Sequence, residues 1–177
     1  MKKIIAFGAS SSSNSINKSF ATWASGQIEG ADVDVLDLND YEMPIFSVDR
    51  ESAGGIPELA QQFKETLKKA DGIIISFAEH NGSYSAAFKN IFDWMSRIGS
   101  PIWMDKPMFL LSTSPGGRGG QNVLETAAKS FPHQGARVIA SFSLPSFNQN
   151  FDADQGIIDG ELKDRFFTQL EQFQENI

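Results

Sequence analysis

Residues 3–17, KIIAFGASSSSNSIN, place an apolar run directly before a polar turn and the start of a helical pattern. The unbroken apolar character of Lys3–Phe7 predicts a strand that is buried on both faces. The pattern over Asn17–Gly26 predicts a helix that ends at a glycine. A serine run between two such elements is either a soluble turn that caps the helix or a set of hydroxyl groups around an anion.

The rest of the chain repeats this order of strand and helix. Further strands are predicted over Asp32–Leu38, Asp71–Ala78, Pro107–Ser112 and Arg137–Leu144. Further helices are predicted over Ile56–Ala70, Ser83–Arg97, Asn122–Phe131 and Gly160–Glu175, with a loop over Asp40–Gly55. This alternation predicts one domain over residues 1–177, an α/β fold whose parallel sheet carries helices on both faces.

Composition excludes several kinds of protein. The chain has no cysteine and only two histidines, so thiol chemistry, iron–sulfur clusters and a histidine-based metal centre are excluded. A net charge of −7 disfavours nucleic-acid binding. No apolar run is long enough for a membrane span or a signal peptide, so we expect a cytoplasmic protein without a membrane partner.

Three loops follow strands of the predicted sheet and are polar or rich in glycine, namely residues 8–17, 78–85 and 112–120. Open parallel sheets bind ligands outside the carboxyl ends of their strands. We therefore expect these loops to form one site.

The first loop is suited to a phosphate. Hydroxyl groups of Ser10, Ser12 and Ser15 and the amide of Asn17 join the free N–H groups of a helix N-terminus. The loop contains neither GxxxxGK[ST] nor GxGxxG, which disfavours classical ATP or GTP hydrolysis and a dinucleotide fold of the usual kind.

The other two loops are suited to a flat ring. Residues 79–83 offer backbone donors and acceptors to the rim of a heteroaromatic ring, with His80 and Tyr84 near it. The alternative is a tight strand-to-helix connection with Ser83 as N-cap. In the third loop, four glycines around Arg118 allow the backbone to approach a ligand closely.

Residues 81–94, NGSYSAAFKNIFDW, resemble the NGSYPGxLKNAIDW stretch of the NAD(P)H-dependent FMN reductase family. Residues 9–17, ASSSSNSIN, resemble its phosphate loop GSxRxxSxN, and the glycine-rich loop after KPMFLLS resembles its third loop. The resemblance extends to about residue 140. It implies a flavodoxin-like three-layer sandwich with a five-stranded parallel sheet in the order 2-1-3-4-5.

The resemblance also implies a bound FMN and a set of residues that hold it. The phosphate would be held by Ser10, Ser12, Ser15, Ile16 and Asn17. The ring would lie against Glu79, His80, Asn81 and Gly82 on one side and Ser112, Gly116 and Gly117 on the other.

The implied reaction passes electrons from NADPH or NADH through FMN to a small acceptor: a quinone, a flavin, an azo or nitro compound, or a metal oxyanion. No catalytic side chain and no metal are needed for this. A protonating role for His80 is a hypothesis that an unchanged pH–rate profile in His80→Phe would contradict. Arg118 and Arg50 are candidates for contacts with a 2′-phosphate, and the choice between NADPH and NADH is open.

The chain departs from the family pattern at four places. Ser12 stands where the phosphate loop usually has arginine, Ala78 where proline is usual, His80 where tyrosine is common, and Ser85–Ala86 where the family has Pro-Gly. These changes put the affinity for FMN in question, because a charge-assisted phosphate contact is lost at Ser12.

Two other functions stay open on the same fold. A flavodoxin-type electron carrier would suit the acidic pI near 4.8, although the first loop lacks TxTGxT. A flavin-free binding domain is the second alternative.

The family is usually dimeric or tetrameric, so we expect a homodimer or homotetramer. The aromatic segments 43–46, 103 and 142–151 would shape the acceptor site, the core or an interface.

Overall fold

A computed structural model describes residues 1–177 and contains one central sheet. Its five strands are β1 (Lys3–Ala9), β2 (Asp32–Leu36), β3 (Gly72–Phe77), β4 (Lys106–Thr113) and β5 (Ala136–Leu144). All pairs are parallel, and the spatial order is β2-β1-β3-β4-β5. The predicted fold and the order 2-1-3-4-5 are confirmed.

Seven helices surround the sheet: α1 (Ile16–Gly26), α2 (Val48–Gly54), α3 (Glu58–Lys68), α4 (Ala86–Ile98), α5 (Gln121–Ser130), α6 (Phe147–Asn150) and α7 (Gly160–Gln174). None of them combines the length and the apolar character needed to cross a membrane.

The alternation of side chains in β1 divides the core between the two faces of the sheet. Ile5 and Phe7 pack in a cluster with residues of α3, α4 and α5. Ile4 and Ala6 pack in a second cluster with residues of α1 and α7. All six residues of β3 are buried, which explains why its sequence is a continuous apolar run.

Several boundaries differ from the sequence prediction. β1 continues to Ala9, because the sheet pairs it with β3 as far as Phe77. β2 ends at Leu36, and a 3-10 turn covers Leu38–Tyr41. The segment predicted as a loop over residues 40–55 contains α2. This short helix buries none of its residues, so it carries no apolar stripe that a sequence pattern would reveal.

Candidate active site at the carboxyl ends of the strands

The three polar loops meet around a cavity of about 210 Å³ outside the carboxyl ends of β1, β3 and β4. Seven of the predicted site residues line it: Ser10, Ser12, Ser15, Ile16, Asn17, Glu79 and His80. The other five do not: Asn81, Gly82, Ser112, Gly116 and Gly117. Asn14, Ala78, Thr113, Ser114 and Pro115 complete the lining. The structure therefore brings all five predicted residues of the first loop to one cavity, together with two of the second loop and none of the third.

The start of α1 presents uncommitted N–H groups to this cavity. Ser15 is the N-cap, and its Oγ accepts a hydrogen bond from the N–H of Lys18 at 3.1 Å. The N–H groups of Ile16 and Asn17 donate to no backbone carbonyl. Free N–H groups and the positive end of the helix dipole attract an anion to this position. The donor set fits a phosphate monoester.

Gly8 allows α1 to start against β1. A Cβ at Gly8 would lie 2.3 Å from the backbone nitrogen of Lys18 and 2.8 Å from the carbonyl carbon of Asn17. Both neighbours are backbone atoms of the first helical turn, which cannot move without moving the helix. The glycine is therefore required by close approach, and the free N–H groups are held at a fixed place relative to the strand.

Asn17 connects α1 to two strands. Its Oδ1 accepts from Ser76 Oγ at 2.7 Å and from the N–H of Thr113 at 3.1 Å, and its Nδ2 donates to the carbonyl of Thr113 at 3.2 Å. Only 3% of Asn17 is exposed. The amide that we expected to face a phosphate is thus engaged with β3 and β4. What Asn17 offers the cavity is its backbone N–H.

No arginine or lysine lines the cavity, and the nearby cation on α1 is already paired. Lys18 forms a salt bridge with Asp37, which follows β2. The hydrogen bond from Lys18, with a second from the N–H of Asn39, lowers the pKa of Asp37 below its ordinary value of 3.8. A phosphate here would be bound by neutral donors and the helix dipole.

Replacing Asp37 by asparagine should remove this ion pair and lower the free energy of unfolding by about 1 kcal/mol near neutral pH. Because the pKa of Asp37 is depressed in the folded state, the stabilisation is complete above the unfolded pKa and is lost as the pH falls through the folded one. Urea unfolding of wild type and variant should therefore give a constant difference down to about pH 4 that shrinks in stronger acid. A difference that is unchanged at about pH 2.5 would contradict this account, and Asp40→Asn serves as the control.

The second loop is a small hairpin that leads into α4. Glu79–His80 pairs with Ser83–Tyr84, and the turn at Asn81 and Gly82 uses positive φ angles of 52° and 74°. Ser85, rather than Ser83, is the N-cap of α4: its Oγ accepts from the N–H of Phe88 at 3.2 Å and donates to the carbonyl of Ala9 at 2.8 Å. The serine at the family's proline position thus connects the hairpin to the end of β1.

Tyr84 does not face the site, contrary to our expectation. Its ring packs in the core, with the ring centres of Phe88 and Phe77 at 5.2 and 5.7 Å. Burial raises the pKa of the Tyr84 hydroxyl group. His80 is exposed and lines the cavity. A protonating role for His80 stays a prediction.

The carboxylate of Glu79 holds the third loop. Its two oxygens accept from Asn122 Nδ2 at 3.2 Å and from the N–H of Val123 at 3.1 Å. The N-cap of α5 is Gly120, which has no side chain, so Glu79 supplies the capping acceptor from the hairpin. The side chain of Glu79 therefore joins the second and third loops.

Ser112 does not line the cavity but binds the third loop from the interior of the protein. It is fully buried, and its Oγ donates to the carbonyl of Gly119 at 2.7 Å. Gly116 and Gly117 are exposed on the outer part of the loop. In this loop the cavity is instead lined by Thr113, Ser114 and Pro115, which sequence reasoning missed, as it missed Asn14 and Ala78 in the other two loops. The position of Thr113, Ser114 and Pro115 at the carboxyl end of a buried strand was the available signal.

The five-stranded parallel sheet in this order, with free N–H groups at the helix start after β1 and two further loops beside it, defines a flavodoxin-like fold of the mononucleotide-binding type. Residues 2–149 match the family model described as NADPH-dependent FMN reductase. The chain belongs to this family. It is thus an oxidoreductase of the flavoprotein type, which favours a reductase over the electron carrier and the flavin-free domain.

Individual relatives agree with the family assignment. The chain is 28% identical to an NADPH:quinone oxidoreductase of Arabidopsis thaliana over 144 residues, covering 78% of this chain and 70% of that protein. It is 38% identical to a 2-hydroxy-1,4-benzoquinone reductase of a Burkholderia species over 78 residues, covering 44% and 42% of the two chains. Among solved structures, the flavoenzyme NAD(P)H:(acceptor) oxidoreductase FerB of Paracoccus denitrificans shares the fold, with a TM-score of 0.78, 22% identity and coverage of 99% and 97%.

Proposed function

We propose that this protein is an NAD(P)H-dependent flavin reductase that holds FMN at the three-loop cavity and passes electrons from a nicotinamide to a quinone. The observation that carries the proposal is the set of free N–H and hydroxyl groups at the start of α1, which lie at the same sheet edge as the two loops that follow β3 and β4. FMN, when bound, supplies the ring that accepts and releases electrons. The protein supplies binding and orientation.

The phosphate of FMN is assigned to the N–H groups of Ile16 and Asn17 with the hydroxyl groups of Ser10, Ser12 and Ser15. Ser10 and Ser15 are each nine-tenths buried or more, and their oxygens already accept from backbone N–H groups, so each hydroxyl proton is free to be donated. This arrangement keeps the donors in place before the ligand arrives.

The ring of FMN is assigned to the second and third loops. The backbone of Glu79 and His80 contributes one edge, and Ser114 and Pro115 contribute the other in place of the buried Ser112. Asn81, Gly82, Gly116 and Gly117 are exposed beside them and available to a ring that extends beyond the cavity. No side chain has to act as acid or base.

A quinone is the acceptor that the relatives support best, because the named activities of several of them are quinone reductions. The purified protein loaded with FMN should oxidise NADPH in the presence of a soluble quinone without any partner reductase. Oxidation that requires a second protein would favour the electron carrier. No oxidation with any quinone would contradict the proposal.

Replacing Ser12 by arginine should tighten FMN binding roughly tenfold, since it adds a charge-assisted contact where only neutral donors exist. Titration followed by quenching of flavin fluorescence gives the dissociation constant. Ser11→Arg is the matched control, because Ser11 is exposed and does not line the cavity. Unchanged or weaker binding in Ser12→Arg would show that the loop holds the phosphate in another register.

We also propose a homodimer or homotetramer that acts in the cytoplasm. Ile45 and Val48 are 72% and 66% exposed, and α2 buries none of its residues within the chain. An apolar surface of this kind is covered when a second copy docks. A chain without cysteine is suited to a reducing compartment. A monomer in sedimentation experiments at micromolar concentration would contradict the oligomer.

A further inference from the structure

A second pocket, of about 650 Å³, lies beside the proposed flavin site. Its lining comes from residues 13–15, from α1, and from the segment after β5, where Phe151–Asp152 pairs with Gly156–Ile157 in a short hairpin. We call it the α1 pocket. Its volume lies within the range of roughly 300–1,000 Å³ that is typical of small-molecule sites.

The α1 pocket and the flavin cavity share part of the first loop. Asn14 and Ser15 line both of them. Ser12 lines the cavity but not the pocket, whereas Ser13 lines the pocket but not the cavity. Asn14 is exposed, so the passage over it is open to solvent. A ligand whose phosphate lies at the start of α1 can therefore extend across Asn14 into the pocket.

Aromatic side chains form one part of the pocket lining. Trp23 and Phe151 are both half-buried there, with ring centres 5.8 Å apart and ring planes at 89°. The hairpin backbone packs directly on the indole, since a Cβ at Gly156 would lie 2.0 Å from Cε2 of Trp23. The two rings are thus held in place without a ligand, and they offer an apolar surface to a planar base.

The part of the lining that α1 contributes is polar. The hydroxyl group of Ser19 donates to the carbonyl of Ser15 at 3.3 Å, and that of Thr22 donates to the carbonyl of Lys18 at 2.8 Å. Each hydroxyl proton is thereby used, so both oxygens remain free to accept hydrogen bonds. Amino and hydroxyl groups of a ligand would find acceptors at these two positions.

The charge in the α1 pocket is positive. Lys18 is the only charged residue of the lining. Its ammonium group has three N–H donors, so the ion pair with Asp37 leaves donors for an anionic group. Asp152 of the hairpin lies outside the lining, and its Oδ1 accepts from the N–H groups of Asp154 and Gln155, at 2.9 Å in each case.

We infer that the α1 pocket binds the adenosine monophosphate half of FAD, so that the flavin site accepts FAD as well as FMN; this inference rests on the proposed function. FAD is FMN joined through its phosphate to adenosine monophosphate, and the phosphate site lies where the cavity and the pocket meet. The adenine lies against Trp23 and Phe151. Its amino group and the ribose hydroxyl groups donate to Ser19 and Thr22, and the added phosphate lies near Lys18.

Calorimetric titration of the purified, flavin-free protein with FAD and with FMN tests this inference. FAD should bind roughly tenfold more tightly than FMN, because a stacked base adds to the same phosphate contacts. An affinity for FAD that is no higher than the affinity for FMN would overturn the inference.

Two variants assign the difference to the pocket. Phe151→Leu should weaken FAD binding roughly tenfold and change FMN binding less than about twofold. Ser19→Gln places a longer side chain in the pocket from an exposed helix position, so it lowers the affinity for FAD alone even if Phe151→Leu disturbs the hairpin. Phe167→Leu is the matched control, because Phe167 also packs near Trp23, with ring centres 6.2 Å apart, but does not line the pocket. A ratio of FAD affinity to FMN affinity that neither pocket variant lowers would overturn the inference.

The inference and the proposed function fail separately. A protein that binds FMN and reduces quinones, but gains nothing from the adenosine half of FAD, would overturn the inference alone. A protein that prefers FAD but oxidises no nicotinamide would contradict the proposed function and leave the assignment of the α1 pocket supported.

Discussion

Replacing Gly8 by alanine is expected to weaken FMN binding roughly 100-fold and to lower the free energy of unfolding by about 2 kcal/mol. The new Cβ would lie 2.3 Å from the nitrogen and 2.6 Å from the Cα of Lys18. Since neither atom can give way alone, the first turn of α1 must move away from β1. The N–H groups of Ile16 and Asn17 move with it, and the phosphate loses several hydrogen bonds at once.

Flavin titration and thermal unfolding measure both parts of this expectation. Gly26→Ala is the matched control, because Gly26 ends the same helix and a Cβ there meets no atom within 4 Å. That substitution should leave FMN affinity unchanged and stabilise the helix by about 0.5 kcal/mol. A Gly8→Ala protein with wild-type affinity would show that the start of α1 does not hold the phosphate.

Asn17→Ala is expected to destabilise the protein by about 3–5 kcal/mol. The substitution leaves the hydroxyl of Ser76 and the N–H and carbonyl groups of Thr113 without their partner. These residues are 0% and 1% exposed, so water cannot replace the lost bonds without opening the core. FMN affinity should fall as well, because β3, β4 and α1 lose the contact that holds the three loops together.

Urea unfolding of single and double variants separates the loss of the Asn17–Ser76 hydrogen bond from an unspecific loss of stability. Asn17→Ala combined with Ser76→Ala should cost less than the sum of the two single substitutions, since the second removes a group that the first left unpaired. Asn14→Ala, at an exposed loop position, should have little effect. An Asn17→Ala protein whose free energy of unfolding lies within about 1 kcal/mol of the wild-type value would show that Asn17 does not hold α1 to β3 and β4.

The fold could be predicted because its signals are local and repeated. Apolar runs such as 71–78 and amphipathic segments such as 56–70 report burial directly, and their alternation leaves few topologies. The strand order, which the family resemblance implied, also agrees with the structure. The position of the site followed, since parallel strands place the loops after β1, β3 and β4 at one edge.

The roles of individual side chains could not be read in the same way. Asn17 and Ser112 stand in polar loops, yet each turns its side chain inward to a partner distant in the chain or across the loop. Glu79 caps a helix 44 residues further on. Such contacts depend on how loops fold over one another, and no periodicity encodes them. The helix α2 was missed for a related reason, because it buries no side chain.

Titration of the purified, flavin-free protein with FMN and with riboflavin tests the central claim most directly. The two ligands have the same ring, and only FMN carries the phosphate that the start of α1 is assigned to bind. We predict that FMN binds at least roughly 100-fold more tightly than riboflavin, which corresponds to about 2.7 kcal/mol from the phosphate contacts. Equal affinities, or no FMN binding at tens of micromolar, would contradict the account.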